Sequence, residues 1–293
     1  MSKSRPRNAM TVDVEDYFQV SAFERYIDRH AWDRKECRVE RNVDRILELF
    51  DRHAVKGTFF TLGWIAERYP SMVKRHVAQG HELASHGWSH VRVTQQQPDE
   101  FRQDIRRTKT LLEDISGQAV IGYRAASYSI DASNLWALDA LEDSGYRYSS
   151  SIYPIRHDLY GMPDAPRFAF RPSGGDFLEF PVTTVRVANR NLPCGGGGWF
   201  RFVPYAGMRW AMRRVNNIDK ETAIFYFHPW EIDPGQPRQA GLDAKTRFRH
   251  YLNLDRMEAR LERLLRDFDW GRMDEELYWP AIQRPETENS EAH

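Results

Sequence analysis

The feature that most constrains the fold of this 293-residue chain is an alternation of short apolar runs and amphipathic helical segments. Residues 9–14 read AMTVDV and residues 56–63 read KGTFFTLG, and both runs are typical of buried strands. Between them, Val39, Val43 and Phe50 share one face of a helical pattern. Because the alternation continues over about 230 residues, it predicts a parallel α/β sheet with outer helices that closes into a complete or incomplete (β/α) barrel.

The pattern loosens after residue 150. Residues 153–176 contain many Pro and Gly residues and are predicted to form a long loop. An apolar strand is predicted at 222–230, between helices at 204–217 and at about 243–268. The predicted parts of the chain are a barrel, a helical extension packed on it and a disordered polar tail: residues 8–230, 231–284 and 285–293.

Composition excludes several classes of protein. Lys+Arg and Asp+Glu balance at 42 each, and no long block of one sign points to nucleic acid or to a charged membrane surface. The two cysteines, Cys37 and Cys194, do not form a disulfide framework. No apolar signal segment and no run of about 20 apolar residues is visible, so the sequence predicts a cytoplasmic protein without a membrane span.

Acidic residues crowd the end of the first predicted strand, in the stretch TVDVEDYF. Asp13, Glu15 and Asp16 stand where parallel α/β folds place their active sites, at the carboxyl ends of the strands. Three acids so close together repel one another unless a positive group lies among them. The alternative is a helix cap or a solvated turn.

Two histidines follow a later strand, in the stretch HGWSH. His86 and His90 are four residues apart, and the Gly and Ser between them favour a turn. A third ligand from another strand end would give a three-ligand zinc-type site with open positions, which is the arrangement of a catalytic metal. The alternative is a pair of surface or core histidines.

Two further polar residues end apolar strands. Arg124 follows AVIGY and is predicted to be buried with a carboxylate partner, as part of a site or of a structural salt bridge. His228 ends IFYF and is followed by Pro229 and Trp230, and its alternative is a capped core histidine. Polar residues therefore follow four predicted strands, at the same edge of the sheet.

This order of motifs resembles that of the NodB-homology polysaccharide deacetylases, carbohydrate esterases that remove N-acetyl groups from amino sugars. TVDVED resembles their first motif, HGWSH their paired-histidine motif, RAASYS their arginine motif and FHPWE their late histidine motif. The resemblance covers residues 8–230. Two departures are the spread of the usual adjacent aspartates over residues 13–16 and Ala126 in place of proline.

The resemblance implies a distorted or incomplete barrel of the NodB type and a metal-dependent amide hydrolase. It implies Asp13 as the base, Arg124 as its partner, His228 as the acid and the backbone N–H of Tyr128 as a donor to the oxyanion. The implied metal ligands are His86, His90 and either Glu15 or Asp16, which the sequence does not separate. The expected ion is zinc, with other ions of the first transition row as alternatives, and the expected partner is an N-acetylated glycan or its precursor.

The glycine run in PCGGGGWFRF has two interpretations. It could cradle a phosphate, although no P-loop Lys-Ser/Thr pair follows it. We favour a flexible loop that lets Trp199, Phe200 and Arg201 border a sugar cleft together with Trp230. This run, DVEDYF and FHPWEID resemble the exosortase-associated exopolysaccharide subgroup, which carries an extra C-terminal segment.

Two other functions stay open at the level of sequence. One is the hydrolysis of a small cyclic amide or ureide on the same fold, for which a closed pocket is expected. The other is a non-catalytic glycan-binding module that has kept the fold. An open groove lined with aromatic residues would favour a glycan substrate.

Overall fold

The computed structural model describes residues 6–158, 160–172 and 175–283, and the predicted tail lies outside these ranges. The strands are β1 (Asn8–Val14), β2 (Thr58–Thr61), β3 (Glu82–Ser85), β4 (Gly122–Tyr123), β5 (Tyr148–Ser149), β6 (Leu178–Glu179), β7 (Thr184–Val187), β8 (Arg190–Pro193), β9 (Ile224–Phe227) and β10 (Trp270–Gly271). The α-helices are α1 (Val39–Arg52), α2 (Gly63–Arg68), α3 (Pro70–Ala78), α4 (Pro98–Ser116), α5 (Trp136–Asp143), α6 (Gly197–Phe202), α7 (Tyr205–Arg214), α8 (Ala244–Tyr251), α9 (Leu254–Asp267) and α10 (Trp279–Gln283).

Eight of the strands form one parallel sheet around β1. The order β10-β1-β2-β3-β4-β5-β6 runs through the sheet, and β9 also pairs with β1. β7 and β8 form a separate antiparallel hairpin. The helices that follow β2, β3 and β4 lie outside the sheet, so the predicted α/β barrel of the distorted or incomplete type is confirmed.

Both faces of β1 are buried, because its side chains alternate between two apolar layers. Met10 and Val12 belong to the outer core, which includes residues of α1 and α9. Ala9 belongs to an inner core with Phe60 and Ala84, which lie on β2 and β3. The same alternation turns Thr11 and Asp13 toward the interior, so β1 delivers a carboxylate to the mouth of the barrel.

The segment after β9 contributes to the sheet as well as to the outer layer. α9 carries its buried residues Met257, Leu261 and Leu264 on one face, and they join the outer core. β10 then pairs with the first residues of β1. The division into residues 8–230 and 231–284 stays a prediction. Across the described ranges, none of the helices combines the length and the apolar character that crossing a membrane requires.

Helix boundaries differ from the sequence-based expectations where the backbone turns. The helix expected over about 243–268 is two helices, and Asn253 at the break has a left-handed backbone with φ 51°. α2 ends before Pro70, which is the first residue of α3. The helix expected at 204–217 ends at Arg214 and continues as a π-helical turn.

Candidate active site

The predicted pair of Asp13 and Arg124 is present at the carboxyl ends of β1 and β4. Nη1 of Arg124 donates to Oδ1 of Asp13 at 2.6 Å and to the Thr11 hydroxyl at 2.8 Å. The guanidinium also donates to the carbonyl and the hydroxyl of Ser150, and it is fully buried. A charge-assisted bond inside the protein is strong, so the guanidinium fixes the position of the Asp13 side chain.

Tyr128 reaches the same carboxylate with its side chain. Its hydroxyl donates to Oδ2 of Asp13 at 3.3 Å. Its backbone N–H donates to the Ala125 carbonyl at 3.0 Å, so it is already engaged and cannot serve as the predicted oxyanion donor in this conformation. Ser127 and Tyr128 both have left-handed backbones, with φ 53° and 51°. This strained turn points the phenol at Asp13.

His86, His90 and Glu15 converge beside this pair. One possible ligand atom from each of the three side chains lies within 4.8 Å of the other two, and all three side chains are buried. Nε2 of His90 lies 2.9 Å from Oε2 of Glu15, yet this oxygen has no hydrogen-bond donor. Nδ1 of His90 is also buried without a partner. A bound cation is one way to satisfy the polar atoms of such a buried cluster.

The electrostatics of the three residues suit a cation. Nδ1 of His86 lies 2.8 Å from the Arg124 carbonyl, which can only accept, so Nδ1 carries the proton and Nε2 keeps a lone pair. Burial lowers the pKa of His86 to about 4, and the ring is therefore neutral at neutral pH. Burial raises the pKa of Glu15, but His90 and His228 outweigh it and lower the pKa to about 2. Two imidazoles and one carboxylate form a known set of ligands for catalytic zinc.

Asp16, the alternative metal carboxylate, lies elsewhere. Its Oδ2 accepts the backbone N–H groups of Arg38 at 2.5 Å and Val39 at 2.8 Å, at the start of α1. Its Oδ1 accepts the N–H of Tyr17 at 2.8 Å. Asp16 therefore caps a helix, which is the alternative that the sequence left open for these acids, and Glu15 is the carboxylate beside the histidines.

His228 extends from the end of β9 into the same cluster. Its Nε2 lies 3.4 Å from Oε1 of Glu15 and 3.9 Å from Oδ2 of Asp13. Its Nδ1 lies 3.1 Å from Oε2 of Glu231, which also accepts the backbone N–H of His228. Burial lowers the pKa of His228, but Glu15, Glu231 and Asp13 together outweigh it and raise the pKa to about 9. The ring is therefore protonated at neutral pH.

Sequence reasoning missed Glu231 as the partner of His228, although the spacing His-Pro-Trp-Glu is a capping box. Arg201 donates to Oε1 of Glu231 at 2.8 Å, and both side chains are buried. Burial raises the pKa of Glu231, but Arg201 and His228 lower it to about 2. A Cβ at Gly197 would collide with this carboxylate, so the glycine run serves close packing against β9 and the site.

The predicted substrate-binding residues occupy a different position. Phe200 is fully buried in the outer core, and Arg201 is held by Glu231, so neither offers a surface to a sugar. Trp230 is buried between the rings of His228 and His250 and donates to Oε1 of Glu15 at 3.3 Å. Phe200, Arg201 and Trp230 therefore pack beneath the site and do not line a cleft. Trp199 is half-buried and packs edge-on against Phe202.

Both halves of the chain match known protein families. Residues 30–149 match the family model described as polysaccharide deacetylase. Residues 150–278 match a domain of unknown function, DUF3473. A crystal structure from Mycobacterium smegmatis, assigned to the polysaccharide deacetylases, aligns with 97% of this chain and 95% of its own at a TM-score of 0.60 and 18% identity. The two proteins therefore share the fold.

Two of the similar proteins are named as deacetylases. A peptidoglycan-N-acetylglucosamine deacetylase of Bacillus cereus is 39% identical over 75 residues, which are 26% of this chain and 27% of that protein. A chitooligosaccharide deacetylase of Bradyrhizobium is 28% identical over 99 residues, which are 34% of this chain and 43% of that protein. The chain thus matches less than half the length of each.

Residues 30–149 therefore form a polysaccharide deacetylase domain, which is the class that the motifs predicted. The exosortase-associated subgroup is tested by none of these matches and stays a prediction.

Proposed function

We propose that this protein hydrolyses the N-acetyl group of an amino sugar in a polysaccharide or its precursor, with the help of one divalent metal ion. The observation that carries the proposal is the convergence of three elements at one mouth of the barrel. These are the ion-paired carboxylate Asp13, the cluster of His86, His90 and Glu15, and the protonated His228. Each element alone has structural explanations, but amide hydrolysis needs all three.

The cluster of His86, His90 and Glu15 would hold the ion, and we expect zinc from its mixed imidazole and carboxylate donors. When bound, such an ion polarises a carbonyl and lowers the pKa of a water molecule. The hydrogen bond from Nδ1 of His86 to the Arg124 carbonyl fixes the orientation of one ligand.

Asp13 would accept the proton of the attacking water. A carboxylate oxygen has two lone pairs, so both oxygens can accept a further proton donor beside Arg124 and Tyr128. The buried guanidinium fixes the direction in which the side chain of Asp13 points. Arg124 and Tyr128 are positioning residues in this scheme.

His228 would give its proton to the departing amine. An amine is a poor leaving group until it is protonated, so the acid is as necessary as the base. Glu231 holds the ring at Nδ1 and leaves Nε2, on the side of Asp13 and Glu15, for the substrate. Acid and base therefore face the same small volume.

The names of the relatives support an N-acetylated glycan as substrate, since they act on peptidoglycan and chitooligosaccharides. The experiment is to measure acetate release from N-acetylglucosamine oligosaccharides after chelation and after reloading with Zn²⁺. Release should require the ion and should fall about 10²–10⁴-fold in Asp13→Asn, which keeps the shape but not the charge of the base. A metal-loaded protein that releases no acetate, or an Asp13→Asn variant as active as wild type, would contradict the proposal.

A further inference from the structure

Glu179, at the end of β6, is a fully buried carboxyl group that the proposed chemistry does not use. Its Oε1 accepts the backbone N–H groups of Ser151 and Ile152, each at 2.8 Å. Its Oε2 is also buried, and within residues 6–158, 160–172 and 175–283 it has no hydrogen-bond partner. Burial raises the pKa of Glu179 to about 7. A carboxyl group is costly at such a position, so its two bonds to the backbone are its main contribution there.

The two N–H groups need this acceptor because the sheet ends before them. The pairing of β5 with β6 ends at Ser149 and Glu179. Ser151 and Ile152 lie beyond the last paired residues and are fully buried, and a buried backbone N–H must then find an acceptor outside the strand ladder. The side chain of Glu179 supplies one for both. One side chain of the neighbouring strand therefore fixes the chain that follows β5.

The chain that Glu179 fixes also holds the guanidinium of Arg124. Nε of Arg124 donates to the Ser150 carbonyl at 3.2 Å, and Nη2 donates to the Ser150 hydroxyl at 3.1 Å. The other N–H groups go to Thr11 and Asp13 from Nη1 and to Sδ of Met273 from Nη2. A guanidinium has five N–H donors, so Ser150 receives two of the five. The direction of the guanidinium therefore depends on where Ser150 lies.

A second connection joins the same chain to the backbone beside Arg124. The hydroxyl of Ser151 accepts the backbone N–H of Ala125 at 2.9 Å. Because Ala125 follows Arg124 directly, residues 150 and 151 hold both the backbone and the side chain of this arginine. A shift of these two residues would move the guanidinium relative to Asp13.

We infer that Glu179 is a positioning residue for the base. Its accepting oxygen holds residues 151 and 152, Ser150 then holds the guanidinium of Arg124, and the guanidinium directs the carboxylate of Asp13. The inference deepens the proposed function and rests on it, since it takes Asp13 as the base. What matters at residue 179 is the place of one accepting oxygen and not the charge of the side chain.

Two conservative variants separate the place of the oxygen from the charge. Glu179→Asp keeps the charge and shortens the side chain by one methylene, so that one oxygen no longer reaches both N–H groups. Glu179→Gln keeps the length and the accepting oxygen and removes the charge. Glu82→Asp is the matched control, because Glu82 is a buried carboxyl group at the start of β3, the opposite edge of the sheet, where it accepts the hydroxyls of Thr58 and Tyr148.

The kinetic measurement is acetate release by the zinc-loaded full chain from an N-acetylglucosamine tetramer, together with the metal content. Glu179→Asp should lower kcat about 10–100-fold, because the base is displaced, and leave KM and the bound metal unchanged. Glu179→Gln should retain the kcat of the wild type, and so should Glu82→Asp. A loss that came only from a weakened fold would affect Glu82→Asp as well.

A double variant tests whether Glu179 acts through Asp13. Residues of one hydrogen-bonded network have effects that do not add. The kcat of Asp13→Asn/Glu179→Asp should therefore equal that of Asp13→Asn alone. A further fall in kcat would place the effect of Glu179 elsewhere and would overturn the inference.

A measurement without substrate follows Arg124 itself. The Nε–H signal of Arg124 is identified by NMR from its loss in Arg124→Lys, and its exchange with solvent is measured. Glu179→Asp should speed this exchange about tenfold, the worth of one hydrogen bond, while Glu179→Gln and Glu82→Asp leave it unchanged. If Glu179→Asp does not fold, Ser150→Ala decides, because it removes the acceptor of Nη2 and should speed the exchange and lower kcat in the same way.

The outcomes separate the inference from the proposed function. Acetate release with unchanged kcat and unchanged exchange in Glu179→Asp, or in Ser150→Ala where that variant decides, overturns the positioning and leaves the chemistry standing. Equal losses in Glu179→Asp and Glu82→Asp also overturn it, because they mark a structural role. A wild type that releases no acetate overturns the proposed function, and the exchange of Arg124 then still decides whether Glu179 holds the guanidinium.

Discussion

The two halves of the molecule, residues 8–149 and 150–278, build their parts of the site in different ways. In the first half, backbone geometry places the side chains, since Asp13, His86 and Arg124 lie at the carboxyl ends of β1, β3 and β4 in one parallel sheet. In the second half, His228 also ends a strand, but side-chain partners hold it: Glu231 is bound by Arg201, and Trp230 stacks between two imidazoles. In the proposed function, the first half supplies the base and the metal ligands, and the second supplies the acid.

The halves meet at Glu15. Its carboxylate contacts His90 of the first half and both His228 and Trp230 of the second. Because the two halves contribute different groups, we expect that mutations can separate metal binding from proton donation, although the residues involved are neighbours.

The largest effect is expected from the first half. His86→Ala removes a metal ligand and should lower both the bound metal and kcat/KM, the latter by about 10⁴-fold, because the polarising ion is lost. Metal content by mass spectrometry and acetate release check this. His53→Ala, which removes a histidine at the far end of α1, should leave both unchanged. Retained metal with lost activity would argue that His86 is not a ligand.

The next largest effect is expected from the second half. His228→Ala removes only the proton donor, so kcat should fall about 10²–10⁴-fold while the metal content stays at the wild-type level. Metal content by mass spectrometry and acetate release check this prediction as well. Loss of metal in His228→Ala would show that the second half also takes part in metal binding, and the division of roles would then be wrong.

A smaller effect is expected for the pair behind His228. Arg201→Met leaves the Oε1 atom of Glu231 buried without its guanidinium partner and should cost about 3–5 kcal/mol of unfolding free energy. Arg201→Met/Glu231→Gln removes both charges and should recover most of this stability. Its kcat should nevertheless stay about 10–100-fold low, because His228 has lost its carboxylate. Denaturant unfolding measures the unfolding free energy, and acetate release measures kcat. If the double variant recovers both quantities, the pair of Arg201 and Glu231 has only a structural role.

The smallest effect concerns His76, a histidine of the first half that the chemistry does not use. It is fully buried, stacks on Phe59 at 4.7 Å and has no hydrogen-bond partner at either nitrogen. Burial lowers its pKa from 6.5 to about 3. As the pH falls below 6.5, the unfolded chain takes up this proton before the folded protein does, so stability is lost between 6.5 and 3.

His76→Phe should therefore reduce the loss of unfolding free energy between pH 7.5 and pH 5 by about 2 kcal/mol. Urea unfolding at the two pH values measures it. An identical pH dependence in the variant would show that the buried ring has another source of compensation.

Much of the fold and of the first half of the site follows from sequence. Apolar strands that end in polar residues predict a parallel sheet, and parallel strand ends meet at one edge, so Asp13, His86, Arg124 and His228 were expected to be close. β10 could not be predicted, because two residues carry no period. The choice of Glu15 depends on α1, whose free N–H groups engage Asp16.

The second half is harder to predict because its roles depend on tertiary contacts. Trp199, Phe200 and Arg201 follow a glycine run, and sequence alone does not tell which face of such a short helix is buried. Close packing of Gly197 against Glu231 turns Arg201 inward. The capping-box spacing of His228 and Glu231 was the one local signal for the acid's partner.

The central place of β1 also bears on how the chain is made. Thr11 pairs with Thr58, but Ala9 must wait for Ile224 and Gly271. Pairing between residues so distant in sequence slows folding. During synthesis on the ribosome, one edge of β1 has no partner strand until β9 emerges. An unpaired apolar edge can pair with strands of other chains. Nascent chains that stop short of Ile224 should therefore aggregate or occupy chaperones, and the candidate site is complete only after His228 has been synthesised.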